Sequence, residues 1–178
     1  MSANQVGWTM TTLVIAATLV SVPVHAADAA AAGTTSVPLT KRRIVVSLPD
    51  RKLVVLDNDQ VLARFDVAVG APSSPSPIGT FTIVNRIPNP TYYRPGKVVA
   101  PGPSNPLGTR WLGFNQKGYG IHGTDSPRSI GKAQSRGCIR LRNADVERLF
   151  EQVRAGDVVE LHGQRTEEIA RLFNQAGA

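Results

Sequence analysis

Apolar and polar positions change rhythm several times along this chain, and each change marks a different kind of element. Ile44 to Leu48 and Lys52 to Leu56 are short apolar runs separated by Pro49-Asp50-Arg51, and a third run begins at Val61 after Asp57-Asn58-Asp59. There Val61, Ala63, Phe65, Val67 and Val69 recur at period two, with Arg64 and Asp66 on the other face. That pattern predicts a half-buried strand within an antiparallel meander. Ala71 to Pro77 reads as a turn region, and Thr80 to Val84, rich in β-branched and aromatic residues, as a further strand. From about Asn85 to Arg110 the rhythm fails, because Pro88, Pro90, Pro95, Pro101, Pro103 and Pro106 are interleaved with Gly96, Gly102 and Gly108. A patternless stretch of that length predicts a functional loop or lid. Tyr92 and Tyr93 within it either wall a substrate or pack the loop down. Trp111 to Phe114 and Tyr119 to His122 predict two short strands around the turn Asn115 to Gly118.

The period then becomes helical. Asn143 is placed to cap a helix in which Val146, Leu149, Phe150 and Val153 share a face, and Gly156 is placed to end it. Val158 to Leu161 predicts the last strand, and Ile169, Leu172 and Phe173 predict a short final helix over 164–178. Many strands followed by one or two helices argue for a β-rich α+β domain.

The first forty residues stand apart. An uncharged apolar stretch from Leu13 to Val22 ends at Pro23 and is followed by Val24-His25-Ala26, the pattern of a signal peptide over 1–26 cleaved after Ala26 or Ala29. No Lys or Arg precedes the stretch, and charge-free sequence runs from Val6 to Val24, so an uncleaved membrane anchor is the alternative. Either reading places the remainder outside the cytoplasm, in the periplasm or cell envelope. Residues 27–40 are Ala, Thr, Gly and Ser with little to bury and read as a flexible lead-in. What remains, on the order of 150 residues, suffices for one domain with a real core. The net charge of +7 lies wholly beyond residue 26 and suits anionic partners such as wall polymers. The basic residues are dispersed rather than clustered with aromatics, which argues against nucleic acid. A membrane is met only through an uncleaved leader.

Cys138 is the single cysteine, so in an exported chain it has no intramolecular disulfide partner. It lies in Ser135-Arg136-Gly137-Cys138-Ile139-Arg140, sixteen residues after His122. Two adjacent β elements joined by a loop would bring imidazole and sulfur together as base and nucleophile of acyl transfer. Gly137 lets the backbone turn sharply and exposes amide N–H groups where an oxyanion would form. In an extended segment Cys138, Arg140 and Arg142 share one face, with Ile139 and Leu141 pointing into the core. Arg136 and Arg140 would then favour the thiolate and could grip a substrate carboxylate. His25, His122 and His162 have no companions at ligand spacing, so no metal site is expected. The glycines from Gly113 to Gly123 lack the context of a phosphate loop and read as turn residues.

These residues resemble a known family. Ile121-His122-Gly123-Thr124, Ser129-Ile130-Gly131 and Ser135-Arg136-Gly137-Cys138-Ile139-Arg140-Leu141 are similar to the signature of the L,D-transpeptidase catalytic domain, or YkuD domain. The likeness extends to Pro77-Ile78-Gly79-Thr80-Phe81 and to Asn105-Pro106-Leu107-Gly108 with Trp111. It implies a β-sandwich of mixed strands with one or two helices against it, a catalytic domain over 41–163, and no cofactor. By the same resemblance Cys138 attacks the third-residue carbonyl, commonly of diaminopimelate, in a peptidoglycan tetrapeptide stem and expels D-Ala. His122 takes the thiol proton, the Gly123 carbonyl orients His122, and the Gly137 and Cys138 amides meet the oxyanion. Ser135, Arg136, Arg140, Tyr92 and Tyr93 are the expected substrate contacts. A second amine, from another diaminopimelate or a protein lysine, resolves the thioester. Family members often carry a histidine where this chain has Arg136, which bears on acceptor choice. Two alternatives stand beside transpeptidation: hydrolysis of the same thioester, as an L,D-carboxypeptidase or amidase, and a non-catalytic wall-binding module.

Overall fold

In the computed structural model, which describes residues 41–174 and Met1, the three apolar runs are strands β1 (Arg43–Ser47), β2 (Lys52–Asp57) and β3 (Gln60–Asp66), paired antiparallel in chain order. The leader, its anchoring alternative and the lead-in lie outside the described residues. Asn58 and Asp59 close the β2–β3 turn at φ 47° and 64°, a left-handed pair that a two-residue hairpin requires and that Asn and Asp tolerate. Strict alternation breaks once. The pairing shifts by a residue between Val55 and Leu56, leaving Leu62 exposed and without a register partner. Ala63 and Phe65 therefore face the main core, while Val61 packs on the opposite side of the sheet.

The chain continues through β4 (Val69–Gly70), β5 (Gly79–Pro88), β6 (Tyr92–Arg94), β7 (Lys97–Val99), β8 (Arg110–Phe114), β9 (Gly120–His122), β10 (Ala133–Ser135), β11 (Ile139–Arg140), helix α1 (Asn143–Gln152), β12 (Val158–His162) and helix α2 (Glu167–Asn174). One eight-stranded sheet has the order β11-β9-β8-β5-β12-β1-β2-β3. The β1–β12 and β9–β11 pairs are parallel, so the expected meander accounts for only part of a mixed sheet. The sheet curls until its ends meet. Ala68, just past β3, exchanges two backbone hydrogen bonds of 2.9 Å with Arg140 of β11 at the opposite end. This tie satisfies the outward-facing backbone of Arg140 at the β11 edge.

One apolar core gathers Ile44, Leu53, Phe65, Ile83, Leu112 and Ile121 with Val146 and Leu149 of α1. The last strand in the sequence, β12, lies in the middle of the sheet. A second cluster, Val45, Val54 and Leu56 with Ile169, Leu172 and Phe173, seats α2 on the other face. This is the β-rich α+β architecture with two helices that the element order predicted. For the site, the decisive burial is that of Ile139 and Leu141, both fully enclosed. Each contributes roughly 1.5–3 kcal/mol, and together they anchor the segment that begins at Cys138.

The Pro/Gly-rich stretch is more ordered than its sequence suggested. β5 runs on to Pro88, and β6 and β7 form a hairpin whose turn, Arg94-Pro95-Gly96-Lys97, has Gly96 at φ 74°. Pro followed by a positive-φ Gly is the signature of a type II turn. Buried Asn105 fastens the hairpin base. Its Nδ2 donates to the carbonyls of Pro90 at 2.8 Å and of Val99 and Ala100 at 3.1 Å, while its Oδ1 accepts the Leu107 N–H at 2.8 Å.

Candidate active site

The parallel β9–β11 pair brings the two halves of the motif together. Ile139 lies opposite Ile121 and Arg140 opposite His122, so the intervening residues loop away and return. His122 is buried, and its Nδ1 lies 2.6 Å from the Gly123 carbonyl oxygen. A carbonyl only accepts, so in the neutral ring Nδ1 carries the proton and Nε2 is the acceptor. The Trp111 ring, opposite His122 in the β8–β9 register, stacks on the imidazole with centroids 5.7 Å apart.

Asn143 fixes the backbone beyond His122. It was expected to cap α1, but the cap position falls on Arg142 and no side chain caps the helix. The Asn143 Oδ1 instead accepts the Thr124 N–H at 3.0 Å and the Thr109 N–H at 3.3 Å. It approaches so closely that a Cβ on Gly123 would lie 2.2 Å from it. The helix ends at Gln152, before Gly156, whose N–H bonds the Ile83 carbonyl.

Gly137 turns the chain into Cys138 at φ 106°, where a Cβ would also lie 2.7 Å from the Tyr119 ring. The turn satisfies its own polar groups. Ser135 Oγ accepts the Gly137 N–H at 3.0 Å and donates to the Cys138 carbonyl at 2.5 Å. The Gly137 amide, expected at an oxyanion, is thus bonded within the turn, and Ser135, expected as a substrate contact, bridges the turn while lining the same cavity as Cys138. Buried polar groups must be paired, and here the nearest partner is within the loop. The Cys138 N–H has no partner among the described residues.

Burial also decides the charge state. It pushes the Cys138 thiol up from its ordinary value, outweighing the Gly120 N–H and the Arg140 and Arg136 guanidinium groups that act to lower it. The arginines act in the expected direction, towards the thiolate, but burial outweighs them. The sulfur lies 3.5 Å from the Gly118 carbonyl, a geometry suited to an S–H donor. Burial likewise holds His122 down at about 4; Arg140 adds to this, and the Gly123 hydrogen bond and Asp125 oppose it. At neutral pH the resting pair is thiol and neutral imidazole.

Cys138 and His122 open into one cavity of about 390 Å³, which Arg136, Arg140, Tyr92 and Tyr93 also line. The Arg136 Nη2 donates to the Tyr92 hydroxyl at 2.6 Å. Arg142 does not line the cavity; its guanidinium pairs with Asp145 at 3.8 Å. His162 is likewise apart, 3.1 Å from Glu160. The sequence reading missed Trp111 as the platform for His122 and Asn143 as the tie behind it.

Residues 41–161 match the model of the YkuD family, the L,D-transpeptidase catalytic domain. The chain is 42% identical over 119 residues to the Bacillus licheniformis protein named for L,D-transpeptidase YkuD, covering 67% of this chain and 64% of that one. It is 38% identical over 118 residues to the Bacillus subtilis protein named for L,D-transpeptidase YqjB, covering 64% and 66%. The chain thus spans just under two thirds of the length of these relatives. Among solved structures, an L,D-transpeptidase from Mycobacterium smegmatis superposes with a TM-score of 0.59 at 23% identity, over 69% of this chain and 59% of that one. One from Mycobacterium tuberculosis gives 0.60 at 18%, over 68% and 57%. With the motif, the fold and two thirds of the sequence in agreement, the chain belongs to the L,D-transpeptidase catalytic domain family.

Proposed function

We propose that this chain is a peptidoglycan L,D-transpeptidase of the cell envelope, with residues 41–163 as its catalytic domain, Cys138 as nucleophile and His122 as base. The observation that supports it most is the placement of the Cys138 thiol and a neutral His122, its Nδ1–H on Gly123 and its Nε2 able to accept, in one cavity. Export rests on the apolar leader.

The reaction follows from these positions. Cys138 Sγ attacks the L-centre carbonyl of the third stem residue, and as the C–S bond forms the thiol proton passes to His122 Nε2. The carbonyl electron pair moves to oxygen, where the Cys138 N–H is the available backbone donor. The Gly123 carbonyl holds the tautomer and steadies the imidazolium. Collapse of the tetrahedral adduct breaks the C–N bond, and the departing D-Ala amine takes the proton from His122. An acceptor amine, from a second diaminopimelate or a protein lysine, then attacks the thioester. Its proton goes through His122, the amide forms, and the thiol is restored. Because burial disfavours imidazolium, it favours proton transfer together with C–S bond formation over a standing ion pair.

The test is incubation of the full chain with disaccharide tetrapeptide and mass spectrometry of the products. A cross-linked dimer is the expected result, and tripeptide alone would reassign the chain as an L,D-carboxypeptidase. Substrate left unchanged by both the wild type and Cys138→Ala would remove the enzymatic reading.

A further inference from the structure

The cavity around Cys138 carries charge of one sign. Arg136 and Arg140 line it, and no Asp or Glu does. Neither guanidinium has a carboxylate within ion-pair distance among the described residues. The two arginines are not equivalent. Arg140 is held in β11, and its Nε is buried without a partner. Arg136 is exposed on the turn that precedes the nucleophile, and its side-chain hydrogen bond is the one it donates to the Tyr92 hydroxyl.

That bond spans two separate parts of the chain. Tyr92 belongs to the β6–β7 hairpin, whose base Asn105 fastens, and Arg136 lies two residues before Cys138. A guanidinium has five N–H donors, so one bond to a hydroxyl leaves the others for a ligand. It also removes much of the rotamer freedom that an exposed arginine would otherwise lose on binding. In the reaction proposed above, the leaving D-Ala carries a carboxylate whose carbon is three bonds from the scissile carbonyl carbon, about 4 Å away at most. A donor placed with that carbonyl at Cys138 Sγ therefore delivers an anion beside the nucleophile, where the cavity offers only cations.

We infer that Arg136 is the specificity residue that reads the terminal carboxylate of the acyl donor, and that Tyr92 is a positioning residue holding its guanidinium at the cavity mouth. The inference rests on the donor assignment of the proposed function. It predicts that this chain selects its donor by the charge on the residue after the scissile bond.

The experiment compares disaccharide tetrapeptides ending in D-alanine and in D-alaninamide, measuring kcat/KM and acylation of Cys138 by intact mass, with the full chain and its Arg136→Gln and Tyr92→Phe variants. The wild type should prefer the carboxylate about ten- to hundredfold, the range of a charge-assisted hydrogen bond. Arg136→Gln should bring that ratio near one, mainly through KM, and Tyr92→Phe should give an intermediate ratio, which a purely structural tyrosine would not do. If Arg136→Gln proves unfolded by circular dichroism, Arg136→Lys takes its place and should lower the ratio in part. A wild-type ratio near one, or a wild-type ratio retained in the arginine variant, overturns the inference while leaving the transpeptidase reading in place. Absence of acyl-enzyme from either donor in the wild type overturns the donor assignment and this inference with it.

Discussion

The charge state of Cys138 can be tested directly by raising the pH through the titration of its thiol. Burial holds the thiol above its ordinary value in spite of two neighbouring arginines. An ordinary value of about 8.5 already leaves no more than about 3% thiolate at pH 7 and about 0.3% at pH 6, and a raised value leaves less. Alkylation by iodoacetamide proceeds through the thiolate, so its rate should follow this fraction. Between pH 6 and pH 9 the rate constant should rise more than about a hundredfold, with no plateau at the low end of that range. A preformed thiolate–imidazolium pair behaves otherwise, giving a rate already near its plateau at pH 6 and a rise below about tenfold. The assay is second-order alkylation followed by intact mass, with Cys138→Ala as the blank. A plateau at pH 6 would refute both the thiol assignment and the concerted proton transfer built on it.

Three other tests reach the surrounding structure. Because His122 sits at about 4 folded and near 6.5 unfolded, the unfolded chain binds the extra proton between those values, so folded stability falls as pH drops through that window. The loss amounts to at most about 3 kcal/mol, and His122→Gln should show a smaller drop in melting temperature between pH 7 and pH 4.5; equal drops would contradict the buried neutral imidazole. Asn143→Ala removes the acceptor for the Thr124 and Thr109 amides and should cost about 1–3 kcal/mol and lower kcat more than it raises KM. Asn143→Asp keeps an acceptor oxygen and should restore most of kcat, whereas a helix-capping role would leave kcat nearly untouched in both variants. Asn105→Ala should speed hydrogen exchange in residues 91–99 without affecting the strands of the main sheet; unchanged protection would mean that the β6–β7 hairpin is held by something other than this side chain.

What the sequence made legible was whatever is encoded by repetition along the chain. Short apolar runs gave β1 and β2, a period-two run gave β3, helical spacing gave the buried faces of α1 and α2, and the Gly137-Cys138-Ile139 alternation put Ile139 in the core beside an outward-facing cysteine. What escaped were choices settled between distant segments. Asn143 looks like a helix cap because a cap is local, yet its oxygen bonds amides 19 and 34 residues away. Gly120 falls in a predicted strand, but the close approach that requires glycine there was not visible: a Cβ would meet the Leu112 carbonyl at 2.4 Å and the Trp111 ring at 2.9 Å. The same distinction governs the thiol. Arginines can be counted in a sequence and point towards a thiolate, while desolvation depends on how the curled sheet and the β6–β7 hairpin enclose the sulfur, and it acts in the opposite direction. Tertiary closure therefore does more than assemble Cys138 and His122 in one cavity. It keeps both neutral at rest, so that in the proposed reaction charge would develop only as a donor carbonyl receives the sulfur and an amine leaves.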